Sequence, residues 1–99
     1  SKNFDLLKVI EATCEFVADY PILGISEYKF NVVVNSPFCA FIEFGADGDI
    51  QVIEGNPFAV PDLGTYEFRV FVASALNRVD IMAKDGADDK IAERNIDLP

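Results

Sequence analysis

The strongest constraint on the fold is an alternating pattern between Gly64 and Lys90. Apolar side chains occupy every second position in both halves of this stretch: Tyr66, Phe68, Val70 and Val72, then Val79, Ile81 and Ala83. A period of two places alternate side chains on one face of a pleated strand. Residues 74–77 are too few for a helical crossover, so the pattern predicts two antiparallel or sheet-switching neighbours.

The remainder of the chain from Ile25 onward predicts four further strands. They cover residues 26–34, 38–44, 50–54 and 90–98, with turn residues between them. The run from Phe38 to Phe44 is nearly all apolar, which suits a central strand covered on both faces or a subunit contact. Residues 55–63 contain Pro57 and Pro61, and proline cannot donate a hydrogen bond within a sheet, so this segment is predicted as a loop.

The N-terminal segment, residues 3–20, carries two competing patterns. Its charged residues recur every three or four positions: Asp5, Lys8, Glu11, Glu15 and Asp19. That spacing is helical, with Asn3 as an N-cap and Pro21 as the stop. The β-branched and aromatic residues of the same segment favour one or two strands instead. The helix is the favoured prediction, and the strand is the alternative.

Ninety-nine residues predict a single domain, residues 1–99, made of an N-terminal segment (1–24) and a β-sandwich (25–98). An apolar content of 51% excludes disorder. No apolar run approaches the roughly 20 residues that a transmembrane helix needs, so no membrane insertion is expected. The fold class is therefore mainly β, an antiparallel sandwich of six strands, or seven if the N-terminal segment contributes one.

Several short motifs carry a resemblance to a known family. They are, in order, Phe41–Phe44 before Asp47-Gly48, then Gly64, Tyr66, Phe68 and Val70 at alternate positions, then Val79, Ile81, Ala83, Lys84, Asp85 and Gly86. In this pattern residues 25–98 resemble an immunoglobulin-like domain of bacterial surface and phage proteins. The resemblance implies an immunoglobulin-like β-sandwich with a non-catalytic role in spacing, adhesion, or capsid or tail decoration. The chain departs from antibody-type domains because it has no Trp.

The charge and the missing residue types exclude several functions. The net charge is −9 and there is no basic patch, so direct nucleic-acid binding is not expected. The chain has no His, the commonest general base, and no glycine-rich phosphate loop. We therefore expect a protein that is not an enzyme and has no cofactor.

Two pairs of features leave alternatives open. Asp47 and Asp49 lie in one predicted turn, and Asp85, Asp88 and Asp89 lie in another. Their carboxylates are hard oxygen ligands of the kind that calcium binds. Aspartate is equally common in turns that bind no metal, so no metal site is favoured. Cys14 and Cys39 are expected as two small buried thiols. If bridged, they would close a loop of about 25 residues, worth roughly 3.5 kcal/mol.

Three functions follow as hypotheses. The first is a structural or assembly module of a virion or extracellular surface that associates with itself or other proteins, although no signal peptide is visible. Its interface candidates are Phe38, Phe41, Phe58 and Tyr28. The second is a recognition module that binds a glycan or a protein through loop 55–63 or exposed aromatic residues such as Tyr20. The third is an acidic inhibitor that mimics nucleic acid, which requires acids arranged in a stripe.

Overall fold

The structure is a computed structural model, and it describes residues 8–99. This part of the chain contains eight β-strands and no helix: β1 Ile10–Tyr20, β2 Ile25–Val34, β3 Phe41–Gly45, β4 Ile50–Val52, β5 Phe58–Ala59, β6 Gly64–Ala73, β7 Arg78–Lys84 and β8 Lys90–Asp97. Accordingly, the described residues include no helix long and apolar enough to cross a bilayer.

The strands form two antiparallel sheets that pack as a sandwich. One sheet has the order β1-β2-β6-β4 and the other β5-β3-β7-β8. Edge strands β1 and β8 touch each other along one side. The alternation that the sequence shows between Gly64 and Lys90 becomes β6 in one sheet and β7 in the other, so the sheet-switching alternative is the one that holds.

The core lies between the two sheets and is built from every second residue of the long strands. Its fully buried members are Ile10, Phe30, Val32, Ile42, Phe68, Val70, Val79, Ile81 and Ala83. An aromatic cluster continues this core, with the Phe68 ring centroid 5.0 Å from the centroids of both Phe44 and Phe58. Burying one such side chain contributes roughly 1.5–3 kcal/mol, so the alternating residues supply most of the stabilisation.

The helix favoured for residues 3–20 is wrong where the structure describes it, because residues 10–20 form strand β1. Asn3 and the other residues before Lys8 lie outside the described residues. The strand pairs with β2 in register up to Phe16, where a β-bulge adds Val17 as an extra residue. A bulge shifts the phase of a strand by one residue. Glu15 therefore lies opposite the outward Lys29, whereas Asp19 lies opposite the inward Ser26, and the strand alternative is confirmed for residues 10–20.

Two further boundaries differ from the sequence-based predictions. The strand predicted for residues 38–44 begins at Phe41, and its side chains alternate in burial rather than being covered on both faces. The predicted loop 55–63 contains the short strand β5, which makes the strand count eight instead of six or seven. Next to this pairing, the Asn56 side chain contacts the β3 backbone: its Oδ1 accepts from the Phe44 N–H and its Nδ2 donates to the Phe44 carbonyl, both at 2.8 Å.

The connections gather at two opposite ends of the sandwich. The hairpin end comprises the β1–β2 turn at residues 20–24, together with residues 46–49, 74–77 and 98–99. The loop end comprises residues 35–40, 60–63 and 85–89, whereas residues 53–57 cross from one sheet to the other beside the middle of β6 and β3.

Candidate protein-contact surface

The tip of the β1–β2 hairpin exposes two large aliphatic side chains. Leu23 N–H donates to the Tyr20 carbonyl at 3.0 Å, and Gly24 N–H donates to the Pro21 carbonyl at 3.1 Å. Gly24 has a φ of 69°, a left-handed conformation that suits glycine. These successive tight turns point Ile22 and Leu23 away from the sandwich, where they are 100% and 69% exposed. An apolar pair held outward by a well-bonded turn gains nothing from burial within the fold.

Next to the tip, an apolar depression of about 240 Å³ is bounded by Tyr20, Pro21, Ile22 and Leu23, with Asp19 at its side. We call these four apolar residues the tip surface. It lies beyond the bulge of β1, where Phe16 and Val17 are also about half exposed. Exposed apolar residues that lie together, unlike single ones, mark interaction sites.

A second depression of about 420 Å³ opens on the inner side of the hairpin and has polar groups at its base. Ser26 occupies an inward position of β2, is only 3% exposed, and donates from its hydroxyl to Asp19 Oδ1 at 2.5 Å. Its hydroxyl oxygen also lies 2.9 Å from that of Ser74. Phe16 and Tyr28 form an aromatic wall, with their ring centroids 5.7 Å apart in an edge-to-face arrangement. We call this site the Asp19 pocket.

The electrostatics of the Asp19 pocket are acidic. Burial raises the pKa of the Tyr28 phenol, and the nearby charges of Cys14 and Asp19 raise it further. Asp19 and Tyr28 both line this depression. The ion pairs that residues 8–99 form with one another do not include Asp19.

On the outer face of the same hairpin, the buried carboxylate of Glu27 accepts hydrogen bonds from two neighbouring strands. Glu27 is 5% exposed because Tyr20 and Arg69 cover it. The Tyr20 hydroxyl donates to Glu27 Oε1 at 2.8 Å, and Arg69 Nε donates to Oε2 at 3.0 Å. The hydrogen bond from Tyr20 lowers the pKa of Glu27, and the hydrogen bond from Arg69 lowers it further. The bond between Tyr20 and Glu27 also raises the pKa of Tyr20. These contacts join β1, β2 and β6 below the bulge and fix the base of the tip surface.

The four residues that the sequence analysis named as interface candidates do not lie on one surface. Phe38 lies in the turn before β3 and is 74% exposed at the loop end. Phe41 is half-buried in β3, and Phe58 packs inward against Tyr66 and Phe68. Tyr28 is buried, with its ring in the wall of the Asp19 pocket. No shared surface collects all four, because Tyr28 is directed to the hairpin end and the others to the loop end.

The two aspartate groups offered as calcium ligands lie at opposite ends of the sandwich. Asp47 and Asp49 belong to the hairpin end, whereas Asp85, Asp88 and Asp89 form the β7–β8 turn. Asp85 Oδ1 accepts hydrogen bonds from the Ala87 and Asp89 amides at 2.9 and 3.0 Å, which is turn capping. Within residues 8–99 no group of three or more acids and cysteines is arranged to hold a metal ion.

Both cysteines are free thiols. Cys39 is buried and Cys14 is half-buried on β1, where burial raises the pKa of Cys14 to about 11, with a further contribution from Glu15. A thiol with a raised pKa is a poor nucleophile, so neither cysteine adds reactive chemistry.

The sequence-based reasoning missed Ile22, Leu23, Asp19 and Ser26. One signal was present: an aliphatic pair between Pro21 and Gly24, in a segment that the turn residues mark as a connector. The role of Ser26 was hidden because a serine at the end of an alternating strand looks like an ordinary boundary residue. Its network requires Ser74, which is 48 positions away.

The comparisons with known proteins define only the fold. No protein-family model matches the chain, and no curated protein matches it. The structure is similar to that of a FixG-related protein from Vibrio parahaemolyticus, with a TM-score of 0.53 and 11% sequence identity, over 91% of this chain and 96% of that one. A likeness at this identity supports the two-sheet β-sandwich and says nothing about function.

Proposed function

We propose that this protein is a non-enzymatic assembly module that contacts its protein partners through the tip surface. The observation that carries the proposal is the exposure of Ile22 and Leu23 on a firmly bonded turn. Protein interfaces have an apolar centre with a polar rim, and the tip surface has Asp19 at its margin. The partners are copies of this chain or other components of a virion or an extracellular surface.

We further propose that the sandwich is of the immunoglobulin-like type. Four strands support this, because β2 and β6 are neighbours in one sheet while β3 and β7 are neighbours in the other. The chain crosses between sheets both from β2 to β3 and from β6 to β7, as in Greek-key sandwiches. Domains of this type often serve as spacers and contact modules, in keeping with an assembly role.

The first test is the molar mass in solution, measured by light scattering on the size-separated protein at low and high salt. Where copies of this chain are the partners, an oligomer should persist at high salt, because apolar contacts are not screened. The double variant Ile22→Asp, Leu23→Asp should dissociate it. The double variant Phe38→Asp, Leu63→Asp, which places the same two charges at exposed apolar residues of the loop end, is the matched control and should leave the mass unchanged.

A wild-type monomer at every concentration and both salts would contradict self-association. Assembly would then require another component, and binding to candidate partners would have to depend on Ile22 and Leu23. A partner that binds the double variant as well as the wild type would overturn the proposal.

The second candidate function is a recognition module, and the Asp19 pocket favours it. A concave site with an aromatic wall and a few polar groups is a common form of ligand site. An array of glycans tests it, with Asp19→Asn as the variant that should lose binding.

The acidic inhibitor has less support. Acids that pair with Lys or Arg occur on both sheets, for example Glu15 with Lys29 and Glu43 with Lys84, each at 2.8 Å. Other exposed acids lie at both ends of the sandwich rather than in one stripe. We also propose no direct nucleic-acid binding, in line with the net charge of −9.

A further inference from the structure

We propose that the hairpin end binds a basic–apolar segment of a different protein, with an arginine or lysine side chain in the Asp19 pocket and a neighbouring apolar side chain on the tip surface. This inference rests on the proposed function and specifies the chemistry of the partner. The two depressions adjoin, since both include Asp19 and Pro21 in their walls. One short segment can therefore fill both.

The polar groups of the Asp19 pocket suit a cation. Ser26 donates its hydroxyl hydrogen to Asp19 Oδ1, which fixes the carboxylate and leaves its other oxygen as an acceptor. A guanidinium or ammonium group supplies only donors, so it complements this acceptor. Phe16 and Tyr28 add aromatic surface, which a cation or its aliphatic stem can contact.

Charge also selects the partner. Five basic residues of this chain already pair with its own acids: Lys29, Arg69, Arg78, Lys84 and Lys90. A second copy, with its own net charge of −9, is therefore a poor source of the cation. A basic segment of another protein is attracted by the overall charge and gains a specific contact at Asp19.

The test uses short peptides and the whole chain labelled for NMR. The probes are two blocked tetrapeptides, Gly-Arg-Leu-Gly and Gly-Leu-Arg-Gly, because the direction of the segment is open. Their controls carry citrulline, which has the shape of arginine without its charge. We expect at least one arginine peptide to shift the amide signals of Asp19, Ser26 and Ser74 saturably, and its citrulline counterpart to bind at least about tenfold more weakly.

Two variants of equal charge make the test specific. Asp19→Asn keeps an acceptor for Ser26 and should weaken arginine-peptide binding at least about fivefold. Asp47→Asn removes one charge at the same end, outside the pocket, and should leave binding unchanged. Equal binding of arginine and citrulline peptides, shifts spread over all exposed acids, or no saturable shift would each overturn the proposal. Saturation of the same signals by a methyl glycoside, without a response to arginine, would overturn it in favour of glycan recognition.

Failure here differs from failure of the proposed function. Suppose that Ile22→Asp, Leu23→Asp abolishes assembly while Asp19→Asn changes neither assembly nor peptide binding. The proposed contact at the tip surface is then supported, and the proposed cation site is contradicted. If the arginine peptide binds in an Asp19-dependent way but assembly ignores the tip residues, the cation site stands and the assembly role falls.

Discussion

The two ends of the sandwich differ in whether their apolar side chains are buried or exposed. At the loop end, the connection between β4 and β6 turns Phe58 inward onto Tyr66 and Phe68, and the Tyr66 hydroxyl donates to the Asp62 carbonyl at 2.5 Å. At the hairpin end, the aliphatic pair Ile22 and Leu23 points outward, and the buried Ser26 lines a pocket together with the exposed Asp19.

Apolar residues that pack within the fold stabilise it, whereas exposed apolar residues are available to contact a partner. The loop end satisfies its apolar side chains within the chain, apart from single exposed residues such as Phe38 and Leu63. The hairpin end leaves apolar surface beside a polar pocket, an arrangement that the fold itself does not require. Substitutions that affect the two ends differently test whether this division is real.

The largest effect is expected from Phe68→Ala, matched with Phe16→Ala. Phe68 is fully buried between Phe44 and Phe58, so its truncation should lower the free energy of unfolding by about 3–5 kcal/mol. Phe16 is 48% exposed, and its truncation should lower it by only about 1–2 kcal/mol. Denaturant unfolding measures both. Equal losses would mean that the hairpin end is packed as tightly as the centre.

The next effect concerns Asn56, whose side chain bonds the backbone of Phe44 in β3. Asn56→Ala removes both hydrogen bonds to the Phe44 backbone, and we expect a loss of about 1–3 kcal/mol because these groups are left unsatisfied. Hydrogen exchange should show faster exchange at the Phe44 amide, while the Gly24 amide at the hairpin tip stays unchanged. Uniform acceleration at both amides would indicate global destabilisation rather than the loss of a local contact.

The sequence could predict the parts of the fold that follow from local alternation. Strands β2, β6 and β7 appear close to their predicted positions because each alternates over seven or more residues. Strand β8 also lies where it was predicted, although its sequence does not alternate cleanly. Strand β1 was predicted only as the alternative to a helix, because its charged residues recur every three or four positions and the bulge at Val17 is not visible in the sequence. Strand β5 was missed because Pro57 and Pro61 mark its segment as a loop, and its two residues are too few to show an alternating pattern.

The candidate surface was less predictable than the fold. Phe38, Phe41 and Phe58 were chosen for being aromatic, but burial depends on which way the chain turns, and Phe58 turns inward. The Asp19 pocket brings together β1, β2 and the β6–β7 connection, so no local pattern contains it. Only the exposed pair at Pro21–Gly24 could have been inferred from its own neighbours.

A moderate effect of pH is expected from Glu27. Its pKa lies below the ordinary value of 4.5 in the folded protein, so Glu27 stabilises the fold above that value, and this contribution is lost as the pH falls through the lowered pKa. The melting temperature should therefore fall in acid, and less steeply in Glu27→Gln, which starts lower at neutral pH. Asp49→Asn serves as the control. Parallel pH curves for wild type and Glu27→Gln would contradict a role for this carboxylate.

The smallest effect is expected at the tip itself, and it decides the comparison. Ile22→Ser should change the free energy of unfolding by no more than about 0.5 kcal/mol, because a side chain that is 100% exposed loses no packing. Phe38→Ser, at an exposed aromatic residue of the loop end, should behave alike in denaturant unfolding. The two variants should differ only in partner contact, which Ile22→Ser weakens and Phe38→Ser leaves intact. A loss of more than about 1 kcal/mol for Ile22→Ser would mean that Ile22 packs within the folded chain. The apolar tip would then belong to the core, and the hairpin end would have no surface left for a partner.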